Sequence, residues 1–590
     1  MMQSYSKHNI QELPMSSSFF RKKVEGFLGE NGLRLEDVDV YCVIENEAGN
    51  ILAGAGLSSD IIKCIAVAPE ARCEGLVAPL VSHLISLAAA KGILELKLFT
   101  KPENQAVFES LGFHVLASAP KAILMENGHG LDRYVQYLQS FAREGRNGVV
   151  VMNANPFTLG HLYLLQQASQ QVDHLYVIPV KEDVSMFPYA ERLDMIRNAA
   201  QPATNPARNI TVLEGSDYQI SAATFPTYFL KDLSDASETQ MRLDIDLFAR
   251  HIAPALNATV RFVGSEPTDK LTARYNALMK ELLPEVVEIP RLEASACVGS
   301  VKSEEKWFFG SRPVKYFSSD SGGADAVSAS SVRKALEEGS FRRASALCPE
   351  STWPYLLASL ADRALRLELD TPGKPGLVGP DGPGAHKDMD YGTMMAGIKA
   401  LRPFWPKMVL ASSAEELRTL GIEAEKAMMA ATGGVNTHRG AIFCLGVTLN
   451  AWAQRAGNEK DLQILVGETA RGIYAINQKI NNLPPRAAMQ NALDGYKELF
   501  EDWLPFYASG AGELKTLLRI MSTLDDTCVI KRAGAERALQ VKLEAKEMAD
   551  QVGHDEPVGH LCERYAAEGI SPGGAADMLA LTIFIHSIII

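Results

Sequence analysis

The chain has 590 residues, 47% of them hydrophobic and 22% charged, with a net charge of −13. This is the composition of an ordinary globular protein, but the length exceeds one core, so roughly two to four domains are expected. The acidic balance argues against nucleic acid or an anionic membrane as the main partner. The cysteines at 42, 64, 73, 297, 348, 444, 528 and 562 form no CxxC pair, which points to a reducing cytoplasm rather than to a disulfide framework or a zinc site.

The opening MMQSYSKHNIQELP lacks the apolar core of a secretion signal. Val38–Ile44 and Ile51–Gly56 read as a hairpin around Glu47-Ala-Gly-Asn50, and Ile61–Val67 as a further strand. The loop Pro69–Gly75 leads into an amphipathic helix from Leu76 to Ala90. Leu94–Phe99 and the stretch Asn104–Phe113 follow. This order resembles the acetyl-CoA-dependent N-acetyltransferase fold, an α/β domain placed here at residues 1–130. In that family an Arg/Gln-x-x-Gly-x-Gly/Ala loop wraps the CoA pyrophosphate. Here the loop reads Arg72-Cys-Glu-Gly75-Leu-Val77, so the last small residue is missing and a glutamate faces the phosphate path. The departure implies a retained fold with lost or altered activity.

A second domain is expected at 145–350. The apolar strand 147–152 runs into Asn155-Pro-Phe-Thr158-Leu-Gly160-His161, then a helix 160–171 and a strand 174–180. That βαβ start implies a parallel sheet with a right-handed crossover. A turn between a strand and a helix N-terminus suits phosphate, because free N–H groups and the positive end of the helix dipole point at it. Gly160 allows close approach of the backbone and the His161 imidazole can donate a hydrogen bond. Further strands are read at Asn209–Leu213, Val260–Gly264 and Val286–Ile289. The turn resembles the (His/Thr)-x-Gly-His signature of the nucleotidyltransferase superfamily, with Thr158 at its first position and His161 at its last. The resemblance implies a Rossmann-like domain in which these two contact triphosphate oxygens, with Asn155, Phe157 and Gly160 beside the nucleotide. Val180-Lys-Glu-Asp183 ends the second strand, where Lys181 can neutralise a phosphate. Val327-Ser-Ala-Ser-Ser-Val-Arg333 resembles the Ile-Ser-x-(Ser/Thr)-x-x-Arg motif of the same superfamily. It implies β- and γ-phosphate contacts from Ser328, Ser330 and Arg333, while Ser328 also reads as a plain helix cap before Ser331–Glu338.

From about 355 to 590 the pattern is helical, rich in Ala, Leu and Met, with glycine-bearing polar clusters. An all-α domain is expected. The first cluster, Thr371–Tyr391, holds Lys374 for a phosphate, His386, and Asp388 and Asp390 for Mg²⁺. The second, Thr432–Gly440, holds Gly433, Gly434, Asn436, His438 and Arg439 before a helix from Ala441 to Trp452. The third is Leu524-Asp-Asp-Thr527 with Arg532, and the fourth Ser571–Asp577, with Gly573, Gly574 and Asp577. The closing run Leu579–Ile590 is apolar but too short to span a membrane, and reads as a last core helix.

Together, the acetyltransferase-like segment, the His161 turn, Arg261–Pro267 and Ser328–Arg333 resemble the citrate lyase ligase family. That resemblance implies formation of acetyl-adenylate from ATP and acetate, with release of pyrophosphate. Transfer of acetyl to the thiol prosthetic group of the citrate lyase acyl carrier protein then releases AMP. It also places Gly264 and Glu266 near adenine or ribose. The wording and order of the four helical clusters resemble the triphosphoribosyl-dephospho-CoA synthase family. This implies joining ATP's triphosphoribosyl part to the 2′-hydroxyl of 3′-dephospho-CoA, with release of adenine. Asp388, Asp390 and Asp526 would bind metal or stabilise the ribosyl cation, His438 and Arg439 would contact triphosphate, and Asp525 or Asp526 would be the base. The resemblances thus make the chain a bifunctional ligase and transferase, cytoplasmic, using ATP and Mg²⁺. The residues alone leave two alternatives: a phosphate-accepting adenylyltransferase fused to an unrelated transferase, or a non-catalytic nucleotide- or CoA-binding scaffold.

Overall fold

The computed structural model describes residues 9–72, 74–182, 185–201, 209–219, 233–266, 269–291, 308–309, 312–313, 327–454, 461–481, 487–551 and 557–589. Cys73, Asp183, Pro267 and Cys297 lie outside them. The chain forms two compact units, Met1–Asn153 with Tyr163–Leu193 and Ala207–Arg291, and Ala154–Leu162 with Asp194–Pro206 and Leu292–Ile590.

The first unit holds two sheets. β1 (Ile10–Leu13), β2 (Val40–Glu45), β3 (Ile51–Ser58), β4 (Ile61–Val67), β5 (Lys97–Thr100), β6 (His114–Ala119) and β7 (Ala122–Glu126) make a seven-stranded sheet in the order β1-β2-β3-β4-β5-β7-β6. Its pairs are antiparallel except β4–β5, whose parallel register joins Ile61 to Lys97 and Ile62 to Leu98. The β2–β3 hairpin turns because Asn46 accepts N–H bonds from Ala48 and Asn50, an Asx turn. The helix Val77–Ala90 buries Leu80, Val81, Leu84 and Ala88 against this sheet. This mixed α/β sheet with a covering helix is the arrangement expected of the first domain. The fifth strand begins at Lys97 rather than Leu94; Ile93 N donates back to the Ala88 carbonyl at the helix end, and Leu96 N donates to Asn127 Oδ1.

β8 (Asn147–Met152), β9 (His174–Pro179), β10 (Ile210–Val212), β11 (Ala258–Gly264) and β12 (Val286–Ile289) form a parallel sheet in the order β10-β9-β8-β11-β12. Val149, Val150, Leu175, Val177 and Ile178 are buried, as expected for strands covered on both faces. The chain leaves β8 first toward β9 and later returns to its other side with β11. The order therefore reverses at β8, and open parallel sheets hold ligands at the carboxyl ends beside such a reversal. A buried polar network joins the two sheets. Glu126, fully buried, accepts hydrogen bonds from Tyr218 Oη at 2.6 Å and Leu131 N at 3.1 Å. Lys97 Nζ donates to the Asp217 carbonyl at 3.1 Å and pairs with Asp60 at 2.7 Å.

The second unit is helical from Ala329 onward. The helix Trp353–Asp370 packs against the last helix, Gly573–Ile589, as does Arg439–Gln454. Leu579, Leu581, Phe584 and Ile585 of that last helix are fully buried. Each such side chain contributes about 1.5–3 kcal/mol of burial, which explains the apolar closing run as core. Among the described residues no helix is long and apolar enough to cross a membrane.

Candidate functional site

In the second unit, the turn after β8 is set by its own side chains. The Thr158 N–H donates to His161 Nδ1 at 3.0 Å, and Thr158 Oγ1 lies 2.9 Å from the same nitrogen. Nδ1 is therefore an acceptor, and the neutral ring carries its proton on Nε2. The His161 ring stacks on the buried Phe157 with centroids 5.5 Å apart. The helix Leu159–Ser169 starts here, and the first N–H groups of a helix suit an anion.

Segments much later in the sequence clamp this turn. Arg333 Nη1 donates to the Asn155 carbonyl at 2.6 Å, Thr352 Oγ1 to the Phe157 carbonyl at 3.0 Å, and Leu159 N to the Leu347 carbonyl at 2.9 Å. Arg333, expected on phosphate, thus spends one of its five N–H donors on positioning the turn. Ser328 caps the helix Ala329–Glu337 by accepting from Ser331 N at 3.1 Å, and it lies 2.9 Å from Ser330 Oγ. Gly160 sits near the Val327 carbonyl, so the two motifs meet.

The other residues expected at this nucleotide site belong to the first unit. Lys181 pairs with Asp217 at 3.2 Å, and Glu266 with Arg291 at 2.6 Å. Gly264 has open space where a side chain would point, so no close approach demands glycine there. Arg192, which the sequence reading passed over, is fully buried. It donates to the Asn153 carbonyl at 2.9 Å, Asn153 Oδ1 at 2.8 Å, the Val180 carbonyl at 2.8 Å and the Phe187 carbonyl at 3.0 Å, and also to the Glu182 carbonyl. It ties together the chain just beyond β8 and β9. The signal was present: positions 192, 195, 196 and 199 form the buried stripe of the helix Tyr189–Ala200, and an arginine on that stripe must find partners inside.

The four glycine-bearing clusters of the helical region converge. His386 Nε2 lies 2.8 Å from Ser571 Oγ and its Nδ1 lies 3.7 Å from Asp388, joining the first cluster to the fourth. Burial, then the nearby Arg532, holds the His386 pKa below the usual imidazole range, bringing in the third. Asp526 caps the helix Thr527–Ala533 through Cys528 N at 2.8 Å and accepts from Ala575 N at 2.9 Å. A Cβ on Gly574 would lie 3.0 Å from the Asp526 carboxyl, a tight approach. Asp577 meets the second cluster: a Cβ on Gly440 would lie 1.8 Å from its Oδ2. Gly573 opens the last helix.

Several roles read from the sequence look different in place. Lys374, expected on phosphate, is buried and donates to Glu368 Oε1 at 2.6 Å and to the Glu368 carbonyl at 2.5 Å. Arg439, expected on triphosphate, pairs with Glu425. Asn436 caps the start of the helix Arg439–Gln454, accepting from Arg439 N at 3.2 Å, while Gly433 and Gly434 turn the chain at φ of 65° and 91°. Asp390, expected on metal, caps the helix Tyr391–Leu401 by accepting from Thr393 N at 2.8 Å, which holds its pKa below the usual carboxylate range. Asp388 is exposed. Among the described residues no group of three or more His, Cys, Asp or Glu gathers as a metal site. Asp525 pairs with Lys542 at 2.6 Å, whereas Asp526 is buried, and burial raises its pKa. The Asp577 carboxyl is raised well above its ordinary range, first by burial and then by Glu368 and Asp526. His438 is buried beside Lys374, and desolvation pushes its pKa down to about 4.

The result is a polarised site. Glu368, Asp526 and Asp577 bring three carboxyl groups together around one committed lysine, and Arg532 and Lys387 stay exposed near His386. Carboxyl oxygens can face a developing cation, and the exposed cations of the rim suit phosphate. Burial raises the thiols of Cys42 to about 12 and of Cys64 and Cys528 to about 11, and also raises Cys348, Cys444 and Cys562.

The citrate lyase ligase C-terminal domain family matches residues 147–306, and the ATP:dephospho-CoA triphosphoribosyl transferase family matches residues 354–483 and 484–589. A [citrate [pro-3S]-lyase] ligase of Haemophilus influenzae is 37% identical over 346 residues, spanning 56% of this chain and 94% of its own length. That of Escherichia coli is 41% identical over 283 residues, 46% of this chain and 79% of its own. A protein of Pseudomonas savastanoi pv. phaseolicola named a probable 2-(5''-triphosphoribosyl)-3'-dephosphocoenzyme-A synthase is 35% identical over 272 residues, 39% of this chain and 91% of its own. With near-complete counterparts of both kinds joined in one polypeptide, the chain belongs to the citrate lyase ligase family and, through its helical region, to the triphosphoribosyl-dephospho-CoA synthase family.

Proposed function

We propose that this chain carries out two consecutive services for citrate lyase, each using ATP. The ligase half acetylates the thiol prosthetic group of the lyase's acyl carrier protein, and the helical half makes the precursor of that group. The observation carrying the first reading is the Thr158–His161 pair, whose hydrogen bond leaves the imidazole proton on Nε2 at a helix N-terminus.

In the ligase step, an acetate oxygen attacks the α-phosphorus of ATP and the bond to the β-phosphate oxygen breaks, releasing pyrophosphate. His161 Nε2–H and the N–H groups of the helix stabilise the added charge on the phosphoryl oxygens. The carrier thiol sulfur then bonds to the acetyl carbon as AMP leaves with the bonding pair. The raised thiols of this chain support an acceptor supplied by the partner. Acetate-dependent exchange of pyrophosphate into ATP should be present in the wild type and fall at least 100-fold in His161→Ala, the size of loss typical of one oxyanion-stabilising donor. Exchange driven by a phosphate acceptor instead of acetate would refute the assignment.

In the transferase step, the C1′–N9 bond of ATP breaks, adenine departs with the electron pair, and the 2′-hydroxyl oxygen of 3′-dephospho-CoA bonds to C1′. The hydroxyl proton is taken by Asp526, the buried carboxyl of the third cluster. The carboxyl oxygens of Glu368 and Asp577 face the positive charge that develops on the ribose. Arg532, Lys387 and His386 face the triphosphate. Mg²⁺ fits only in part: Asp390 is committed to its helix, leaving exposed Asp388 as the carboxylate for an ion that also uses phosphate oxygens. Bound there, the ion would neutralise triphosphate charge. Adenine release from ATP should require dephospho-CoA and Mg²⁺, and Asp388→Ala should raise the Mg²⁺ concentration needed. An unchanged Mg²⁺ dependence would remove Asp388 from the site.

A further inference from the structure

The converged helical site contains a buried polar atom with no partner. His438 is 3% exposed, its Nδ1 lies 2.8 Å from Thr437 Oγ1, and its Nε2 has no hydrogen-bond partner. A buried unsatisfied nitrogen costs about 1–3 kcal/mol, so such an atom in a site implies a ligand group that completes it.

The surroundings decide which group. Phosphate is disfavoured: the N-terminal turn of the helix Arg439–Gln454 already faces the Asp577 carboxyl across Gly440, and Glu368 and Asp526 are buried close to Asp577. The neighbouring cation, Lys374, is held by two bonds to Glu368. Desolvation and Lys374 keep the His438 ring neutral at pH 7, so Nε2 offers one uncharged hydrogen bond. This is the carboxyl-lined end of the site, suited to the sugar whose C1′ becomes positive. A hydroxyl on that sugar matches a single neutral donor-or-acceptor atom, whereas a triphosphate oxygen does not.

We propose that His438 Nε2 is the hydrogen-bond partner of a ribose hydroxyl of ATP, and that it lets this site distinguish ribose from deoxyribose. The inference rests on reading the helical half as the triphosphoribosyl transferase. It replaces the triphosphate contact that the sequence suggested for this residue.

The test is calorimetric titration of the full chain carrying His161→Ala, to weaken the other nucleotide site, with ATP, 2′-deoxy-ATP and 3′-deoxy-ATP. With His438 in place, one deoxynucleotide should bind about tenfold more weakly than ATP, the loss expected for one buried hydrogen bond. Adding His438→Phe should bring all three within twofold. Adding His438→Gln, which keeps an N–H donor, should retain part of the preference. Equal binding of the three nucleotides with His438 present would overturn the proposal without requiring any position-438 variant to fold. A tenfold preference surviving in a folded His438→Phe protein would also overturn it. Adenine release, assayed in parallel, tests the underlying reading separately: its absence would remove the transferase assignment, while the binding series still decides the role of His438.

Discussion

Replacing Arg192 with methionine should damage the ligase half more than any surface change. Methionine fills most of the space of the arginine stem, so the cavity term is small and the loss is mainly polar. The guanidinium serves carbonyl oxygens of Asn153, Val180, Glu182 and Phe187 together with Asn153 Oδ1, from a fully buried position. Some of these acceptors are near enough to the surface to recruit water. With the rest left unpaired, about 3–5 kcal/mol is expected, at about 1 kcal/mol or more for each lost bond. At roughly 2–4 °C per kcal/mol for a domain of 150–250 residues, the melting transition of this unit should fall by at least 6 °C. The arginine holds the chain just past β8 and β9, where Asn153 precedes the turn and Lys181 follows Val180. Pyrophosphate exchange should therefore fall even at temperatures where the variant stays folded, with a larger change in kcat than in the KM for ATP. Adenine release should be unchanged there, since the helical cluster belongs to the other unit. Calorimetry paired with the two assays decides it. A methionine variant that melts within about a degree of wild type and exchanges pyrophosphate normally would refute the view that these bonds position the strand ends.

The buried His438 should make stability depend on pH. Its folded pKa of about 4 lies below the ordinary imidazole value of 6.5, so the unfolded chain takes up the proton first as pH falls. The stabilising contribution is complete above pH 6.5 and is lost between there and about 4, reaching about 2 kcal/mol by pH 5. The difference in melting temperature between wild type and His438→Gln should shrink by that equivalent from pH 7.5 to 5; a constant difference would contradict it. Gly376→Ala should destabilise by at least about 2 kcal/mol, because φ is 71° and the new Cβ would lie 2.0 Å from the Ile570 carbonyl. It should also slow adenine release, since Ser571, next to Ile570, holds His386. An unchanged urea midpoint would refute that close approach. Tyr218→Phe should cost about 1–3 kcal/mol by leaving the buried Glu126 carboxyl short of a donor, read as a lower urea midpoint, and a neutral result would show that water replaces it.

Much of this was legible in the sequence. Apolar runs located β2 to β5 of the first sheet and the five strands of the second, though not β1, β6 or β7, and a 3.6-residue period located helices such as Val77–Ala90, because local burial patterns need only one element and a neighbour. The Thr158-x-Gly-His161 turn was readable because its geometry is made by residues three apart, which the observed Thr158–His161 bonds reproduce. Even the two charges that the reading missed left a local trace. Arg192 and Glu368 each sit on the apolar stripe of their helices, at 192/195/196/199 and 361/364/365/368.

What local pattern could not supply was which polar residues spend themselves on one another. Lys374, Arg439 and Asp390 look in the sequence like ligands for phosphate or metal, yet they are committed to Glu368, Glu425 and the Tyr391 helix. Those pairings depend on distances between elements and on how far each group is removed from water, and both are fixed only when the helices pack. By itself the sequence determined the two families, the strand-turn-helix around Thr158 and His161, and the four clusters of the helical half. Only the tertiary structure decided that those clusters share one interior, that the interior gathers carboxyl groups while Arg532 and Lys387 lie at its rim, and that His438 is neutral and lacks a partner there. The physical reason is that a charge's role follows from its desolvation and its nearest neighbours in space, and sequence spacing encodes neither.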